Sequence, residues 1–353
     1  MPRVSAKRLA EIGNAILVGA NVAAEEAKTV IEHLVDASLA GHDSHGIITL
    51  LSYIDRIKKK HIIPGAKWEI MQESQTTTVV DGHWGFGFAV TEAVTQMTIE
   101  KARTSNVAAA TVFHQSHIGR LASYPLMAAR EGMIGLITAD SGRGPKTVVP
   151  FGGSEPRLGT NPMSIAVPSN LGGPFFFDMA TSAVAAGKIS VAVARGETIP
   201  TGWIMDSDGN ATTDPTDFRG KGGALLPLGG SEGHKGYALG AMVEVLCGIL
   251  TGLGFGVSKT GVHNDGCFLA VFNVSAFRPL EQFKQEVTDF AAFLKDTPPS
   301  KGSKGVLYPG EIEYLKEQER RRDGIDVESK TWNSLADLAD EFGVSSRLNM
   351  ERA

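Results

Sequence analysis

The chain has 353 residues, 42% of them hydrophobic, which is enough for a well-buried core and for more than one lobe, since single cores stop growing near roughly 250–300 residues. Its 34 basic and 39 acidic residues nearly cancel, and a formal charge of −5 supplies solubility without the basic footprint of a nucleic-acid binder. The two cysteines, Cys247 and Cys267, belong to no CxxC pair or Cys/His cluster, which excludes a zinc ribbon or a disulfide framework and leaves buried thiols.

The first residues, Met1-Pro2-Arg3-Val4, lead into an amphipathic pattern with no apolar stretch and small-residue cleavage site behind it, so the expected compartment is the cytoplasm. Three helical patterns open the chain. Ser5 caps the first, and the second sets Ala27, Val30, Ile31, Leu34, Val35 and Ser38 on one face for burial. The third covers 46–60, with Ile47, Leu50, Leu51, Ile54 and Ile57 on one side and Lys58-Lys59-Lys60 at an end where cations suit the helix dipole.

From about residue 76 the texture changes to short β-rich runs at 77–80, 107–113, 133–138, 163–167, 175–178 and 268–274, alternating with helical ones. This predicts an α/β core. Loops rich in Gly, Pro and Asn cover 141–147, 152–162 and 229–236, and long loops of this kind in a compact domain tend to be functional. The most apolar stretch, 237–255, contains Glu244 and several glycines and reads as a core helix, not a membrane span. Helices return from about 280, broken at Pro298-Pro299-Ser300-Lys301-Gly302. The expected division is a helical domain of residues 1–75 plus 280–353 and an α/β cofactor- and substrate-binding domain of residues 76–279.

A conventional dinucleotide fingerprint requires GxGxxG between a strand and a helix, where the glycines let phosphate approach the backbone. Gly85-Phe86-Gly87 is the nearest fragment, but Val90 stands at the last glycine position and no acidic residue follows at the right distance. No Walker GxxxxGK[ST] is present either, so a nucleotide site has to use another framework.

Two histidine knots sit at element junctions. In Gly41-His42-Asp43-Ser44-His45-Gly46, Asp43 or Ser44 has the chemistry to cap the helix that follows, while His45 beside a carboxylate and a hydroxyl has the chemistry of a proton donor and acceptor near neutral pH. His42 and His45 lack a third ligand at sensible spacing, so no metal is expected. His114-Gln115-Ser116-His117-Ile118-Gly119-Arg120 follows a strand and precedes a helix, a corner where α/β enzymes place reactive groups. Capping competes with catalysis at the first, and an ordinary polar loop competes with it at the second. Pro150-Phe151-Gly152-Gly153, Gly159-Thr160-Asn161-Pro162 and Asp178-Met179-Ala180-Thr181-Ser182 offer backbone donors for a phosphate or plain turns. Gly233-His234-Lys235-Gly236-Tyr237 places a lysine among free helix N–H groups, and Gly187-Lys188 is a weaker version of the same signal.

Taken in order, and with Tyr308-Pro309-Gly310-Glu311 added, these segments resemble the type 2 malate/L-lactate dehydrogenase family, whose members also include sulfolactate, ureidoglycolate and diketogulonate oxidoreductases and reductases of cyclic imino acids. The resemblance implies a non-Rossmann, L-sulfolactate dehydrogenase-like α/β fold with a large mixed sheet, NAD or NADP as cofactor, and a homodimer with active sites near the subunit interface. It implies that His45 and His117 are the acid/base positions and that Ser44 and Thr160 line the substrate site. Ser141, Asp178, Met179, Ala180, Lys235, Gly310 and Glu311 match cofactor-contacting segments.

Many members carry an arginine four residues after the first of these histidines, to grip the substrate carboxylate. Here that position is Thr49, as in a subset resembling bacterial hydroxycarboxylate dehydrogenases, to which Leu307-Tyr308-Pro309-Gly310-Glu311 and Asp323-Gly324-Ile325 also point. The carboxylate is then expected on Arg120 first and Arg143 second, as planar bidentate donors. The expected reaction is hydride transfer between nicotinamide and C2 of a 2-hydroxy or 2-oxo carboxylate, with cyclic imino-acid reduction as the alternative enzyme and a non-catalytic ligand-binding protein as the alternative class. No nucleic acid or membrane partner is expected.

Overall fold

A computed structural model of the chain describes residues 1–140, 144–218, 220–257, 262 and 265–345. A short strand β1 (Arg3–Val4) precedes α1 (Ala6–Gly19) and α2 (Ala24–Leu39). Ser5 caps α1 as its position predicts, its hydroxyl accepting the Arg8 N–H at 3.2 Å. The face read from spacing in α2, from Ala27 to Ser38, is buried. The third helix is shorter than its pattern, because single 3-10 turns at Asp43–His45 and Ile47–Thr49 come before α3 (Leu50–Lys58). Gly46 stands between those turns in an extended conformation, φ −89° and ψ −154°, and breaks the helix there. It packs so tightly on α2 that a Cβ would lie 2.1 Å from Ser38 Oγ, the atom that accepts the Ile47 N–H at 3.1 Å.

The α/β part then runs β2 (Glu69–Glu73), β3 (Thr77–Gly85), α4 (Gly87–Ser105), β4 (Val107–Gln115), α5 (Ser123–Arg130), β5 (Met133–Ala139), β6 (Met163–Val167) and β7 (Phe175–Met179). Next come α6 (Ala186–Arg195), the short strands β8 (Ile204–Met205), β9 (Ala211–Thr212) and β10 (Ala224–Leu225), then α7 (His234–Glu244) with a π turn at Val245–Ile249, and β11 (Cys267–Asn273). The chain closes with α8 (Leu280–Lys295), α9 (Glu311–Asp323), β12 (Ile325–Asp326) and α10 (Ser329–Glu341). Among the described residues, a seven-stranded sheet has the order β2-β3-β4-β11-β5-β6-β7, and β8, β9 and β10 form a separate small sheet.

The large sheet is mixed, as expected. Only β3 and β4 pair in parallel, with α4 as the crossover between them, and the remaining neighbours are antiparallel. Val80, Val112, Ile137 and Leu269 from its strands bury against Val90 and Val94 of α4. Both cysteines are free and buried, and burial pushes the Cys267 thiol up to about 12, so neither is a thiolate nucleophile.

The two ends of the chain share one core, in which Leu9, Ile16, Ile31, Leu34 and Ile54 pack with Ile325, Trp332 and Leu335. β1 and β12 pair antiparallel and add an Arg3–Asp326 ion pair at 2.8 Å. Two features lie across the expected boundaries. β2, on the helical side of residue 75, is the edge of the large sheet, and its Glu69-Ile70-Met71-Gln72-Glu73 run hides it because edge strands carry charge to discourage further pairing. α8 buries only Ala291 fully and lies outside the helical core.

The apolar stretch 237–255 is not the core helix expected of it. Tyr237, Leu239, Met242, Val245 and Ile249 are exposed on one side of α7 and its π turn, while Gly236, Gly240, Val243, Glu244 and Cys247 are buried. Composition reports apolarity, not which side has a partner within the chain. The buried side is partly polar: Lys146 donates to Glu244 at 2.6 Å, and the Asn161 amide donates to Glu244 at 3.0 Å and to the Gly240 carbonyl at 2.8 Å. No helix among the described residues is long and apolar enough to cross a membrane.

Candidate active site

The junction between α2 and α3 turns its polar residues away from capping. Asp43 receives a bidentate pair from Arg320 of α9, at 2.5 and 3.0 Å, and the same guanidinium reaches the Ser38 carbonyl. Ser44 keeps its hydroxyl 3.0 Å from His45 Nδ1. Neither side chain caps the following turn, so the capping expected of Asp43 or Ser44 gives way to fixing the His45 segment. On the other side, β4 delivers His117 through Ser116, whose N–H binds the Gly85 carbonyl at 3.1 Å and whose hydroxyl accepts the Gly87 N–H at 3.0 Å. The rings of His45 and His117 stack, with centroids 5.7 Å apart and planes 22° from parallel.

Behind His117 stands Tyr53 of α3, fully buried, with its hydroxyl 2.7 Å from His117 Nδ1. Burial pushes the phenol well above its usual range, so it stays protonated. A neutral phenol donates to Nδ1 of a neutral imidazole and accepts from Nδ1 of an imidazolium, so it can hold the ring in both protonation states. Burial holds His45 below its ordinary value; Asp178 and Asp265 oppose that, and His42 and Arg120 reinforce it. His42 itself lies 3.5 Å from Glu313 of α9, which keeps that carboxylate below its usual range.

Arg120 and Asp178 complete the group. Burial pulls the Arg120 guanidinium down and pushes the Asp178 carboxyl up, and each is the other's largest or near-largest compensating charge. Asp178 also accepts the Ala122 N–H at 2.7 Å, at the start of α5. The Arg120 guanidinium lies over the Phe176 ring, 5.2 Å from its centroid, and its buried Nε has no hydrogen-bond partner. Thr49, at the position of the missing arginine, donates its hydroxyl to the Gly46 carbonyl at 2.8 Å. α6 begins at the same rim, where a Cβ on Gly187 would lie 3.1 Å from that of Ser44.

The other expected residues lie to either side along β7. Beyond its end, Thr181 donates twice to the Thr160 carbonyl, from N–H at 2.9 Å and from its hydroxyl at 3.1 Å, and accepts the Leu228 N–H at 2.9 Å. Leu228 in turn lies against Gly236, next to Lys235, where a Cβ would come within 2.2 Å of the Leu228 carbonyl oxygen. The first turn of α7 has no side-chain cap, and Lys235 pairs with Glu232 at 3.1 Å. At the opposite end, Gly310, with φ +93°, fits where a Cβ would lie 2.6 Å from both Phe176 Cδ1 and the Pro174 carbonyl oxygen. Glu311 binds the Tyr308 N–H at 3.1 Å and Lys295. Met179 and Ala180 are half-buried between these ends. Ser141 and Arg143 lie outside the described residues.

Two buried groups beside the histidines, Tyr53 and Asp265, were not singled out by motif. The available signal for Tyr53 was its hydroxyl on the apolar face of α3, three residues after Leu50, because a buried phenol needs a hydrogen-bond partner. Asp265 stands one residue before Gly266 in a loop with no spacing pattern.

The family model described as malate/L-lactate dehydrogenase matches residues 4–336. The chain is 37% identical over 328 residues to a malate dehydrogenase of Pyrococcus abyssi, covering 91% of this chain and 89% of that one. Its fold matches the crystal structure of malate dehydrogenase from Entamoeba histolytica with a TM-score of 0.91 at 33% identity, covering 97% of this chain and 98% of that one. It also matches delta1-piperideine-2-carboxylate reductase from Pseudomonas syringae with a TM-score of 0.84 at 29% identity, covering 96% and 100%.

Proposed function

Because the chain belongs to the malate/L-lactate dehydrogenase family, we propose that it is a cytoplasmic oxidoreductase interconverting a 2-hydroxy and a 2-oxo carboxylate, with His45 or His117 exchanging the proton on the C2 oxygen. The observation that carries this is the stacked imidazole pair beside a buried guanidinium whose Nε lacks a partner. NAD or NADP supplies or receives the hydride when bound. The residues fit such a group: the uncapped first turn of α7 with Lys235 beside it offers free N–H donors and a cation to a phosphate. Asp178, Met179, Ala180, Gly310 and Glu311, with Ser141, make up the rest of the cofactor-facing set.

In the reduction direction the imidazolium donates its proton and stabilises the developing alkoxide, work suited to a group whose pKa lies near the working pH. Ser44 and Thr160 face the substrate, and Arg120 holds its carboxylate. A screen of NADH and NADPH oxidation with small, aromatic and sulfonated 2-oxo acids tests the reading and fixes the cofactor. Turnover with at least one 2-oxo acid is expected; turnover confined to a cyclic imine would transfer the site to imino-acid reduction, the reading favoured by the likeness to the piperideine-carboxylate reductase.

The exposed row Tyr237, Leu239, Met242, Val245 and Ile249 is read as the contact between two copies of the chain, since an exposed apolar helix face marks an association surface. Met242→Glu places a charge at its centre. Analytical ultracentrifugation is expected to find the parent chain dimeric and the variant shifted to monomer; an unshifted dimer would assign the contact to another face.

A further inference from the structure

We propose that Asp265 is a positioning residue for the histidine pair: its carboxylate clasps the loop that carries His117 and supplies a negative charge where imidazolium forms. The inference rests on the reading of His45 and His117 as the proton-exchanging groups. Asp265 is only 5% exposed, and it binds the loop at both ends. Its N–H donates to the Gln115 carbonyl at 3.1 Å, and its Oδ2 accepts the Ile118 N–H at 3.2 Å, so residues 115–118 are held between its backbone and its side chain.

The clasp is rigid on its far side. A Cβ on Gly266 would lie 1.9 Å from the Cys247 carbonyl oxygen, and Cys267 begins a strand paired on both edges, opposite Val112 of β4 and Ala139 of β5. A group two residues from the central strand of the sheet is placed more accurately than one on a free loop.

The charges around His45 show why another anion matters. His42 on its own turn and Arg120 after β4 both disfavour a second positive charge, while Asp178 on β7 and Asp265 favour it. Burial pushes the Asp178 carboxyl toward its neutral form, and part of its negative charge is balanced by Arg120. Asp265 is then the second carboxylate, after Asp178, that favours an imidazolium there despite burial, with the neutral phenol of Tyr53 facing His117 from α3.

Asp265→Asn tests this, because asparagine keeps an oxygen for the Ile118 N–H and removes the charge. The readout is the pH profile for reduction of the 2-oxo acid turned over best in the screen. Reduction needs the imidazolium, so its rate falls as pH rises through the pKa of that group; without Asp265 the fall is expected at lower pH, by about half a unit or more. Cofactor affinity, read by quenching of tryptophan fluorescence, is expected to be unchanged. Asp265→Ser, which also keeps an acceptor, should move the profile the same way. A profile left in place overturns the assignment, as does failure of both variants to fold, which would make Asp265 a structural clasp alone. If the profile stays while the His45 and His117 variants are inactive, only the role of Asp265 falls; activity in both histidine variants removes the reading beneath it.

Discussion

Alanine at the proton-exchanging histidine is expected to lower kcat for 2-oxo acid reduction by about 10²- to 10⁴-fold, the usual contribution of a positioned acid or base, while fluorescence titration still detects cofactor binding. His45→Ala and His117→Ala separate the two rings. Their rings stack 5.7 Å apart, but their supports differ: His45 is backed by the Ser44 hydroxyl, and His117 by a fully buried tyrosine whose proton is retained. The ring that exchanges the proton shows its loss in kcat, because its bond to the C2 oxygen strengthens only in the transition state. The other ring shows its loss mainly in KM. A double variant should show the kcat of the proton-exchanging single variant together with the KM of the other, since the two losses fall in different parameters. Full turnover in both single variants would remove the histidine pair from the mechanism.

Much of the fold was legible because burial imposes periodicity. The strand at 163–167 coincides with β6, and the buried face of α2 contains every residue read from its spacing. What escaped lacks such a pattern. β8, β9 and β10 are two residues each, too short for alternation to register, and β2 is charged because it is an edge. The stretch 237–255 was read correctly as apolar and wrongly as core, since apolar composition does not say which side of a helix is buried. At the site, His45, Ser44, His117 and Arg120 could be named from two short motifs. Their convergence could not, because it depends on Gly46 letting α3 start close to Ser38 and on Ser116 tying the end of β4 to Gly85 and Gly87. Tyr53 and Asp265 act through hydrogen bonds to distant segments, and no spacing rule encodes those.

Arg120→Ala is expected to raise KM for the 2-oxo acid by roughly 10- to 100-fold, the loss of a charge-assisted hydrogen bond of about 1.5–3 kcal/mol, with cofactor affinity unchanged. The case begins at Thr49, whose hydroxyl is committed to the Gly46 carbonyl and carries no positive charge for a carboxylate. Arg120, close enough to bear on the charge of His45, offers such a charge. It is held over Phe176 at 5.2 Å, it lies among Asp178, Glu313, Asp36 and Glu317, and burial still pulls its guanidinium down. A buried Nε without a partner is costly, and a substrate carboxylate arriving in the plane of the guanidinium would satisfy it. Lysine has one compact ammonium in place of the planar fork, so Arg120→Lys should recover only part of the affinity. An unchanged KM in Arg120→Ala would move the carboxylate to Arg143, and Arg143→Ala would then carry the 10- to 100-fold loss predicted here for Arg120, again roughly 1.5–3 kcal/mol.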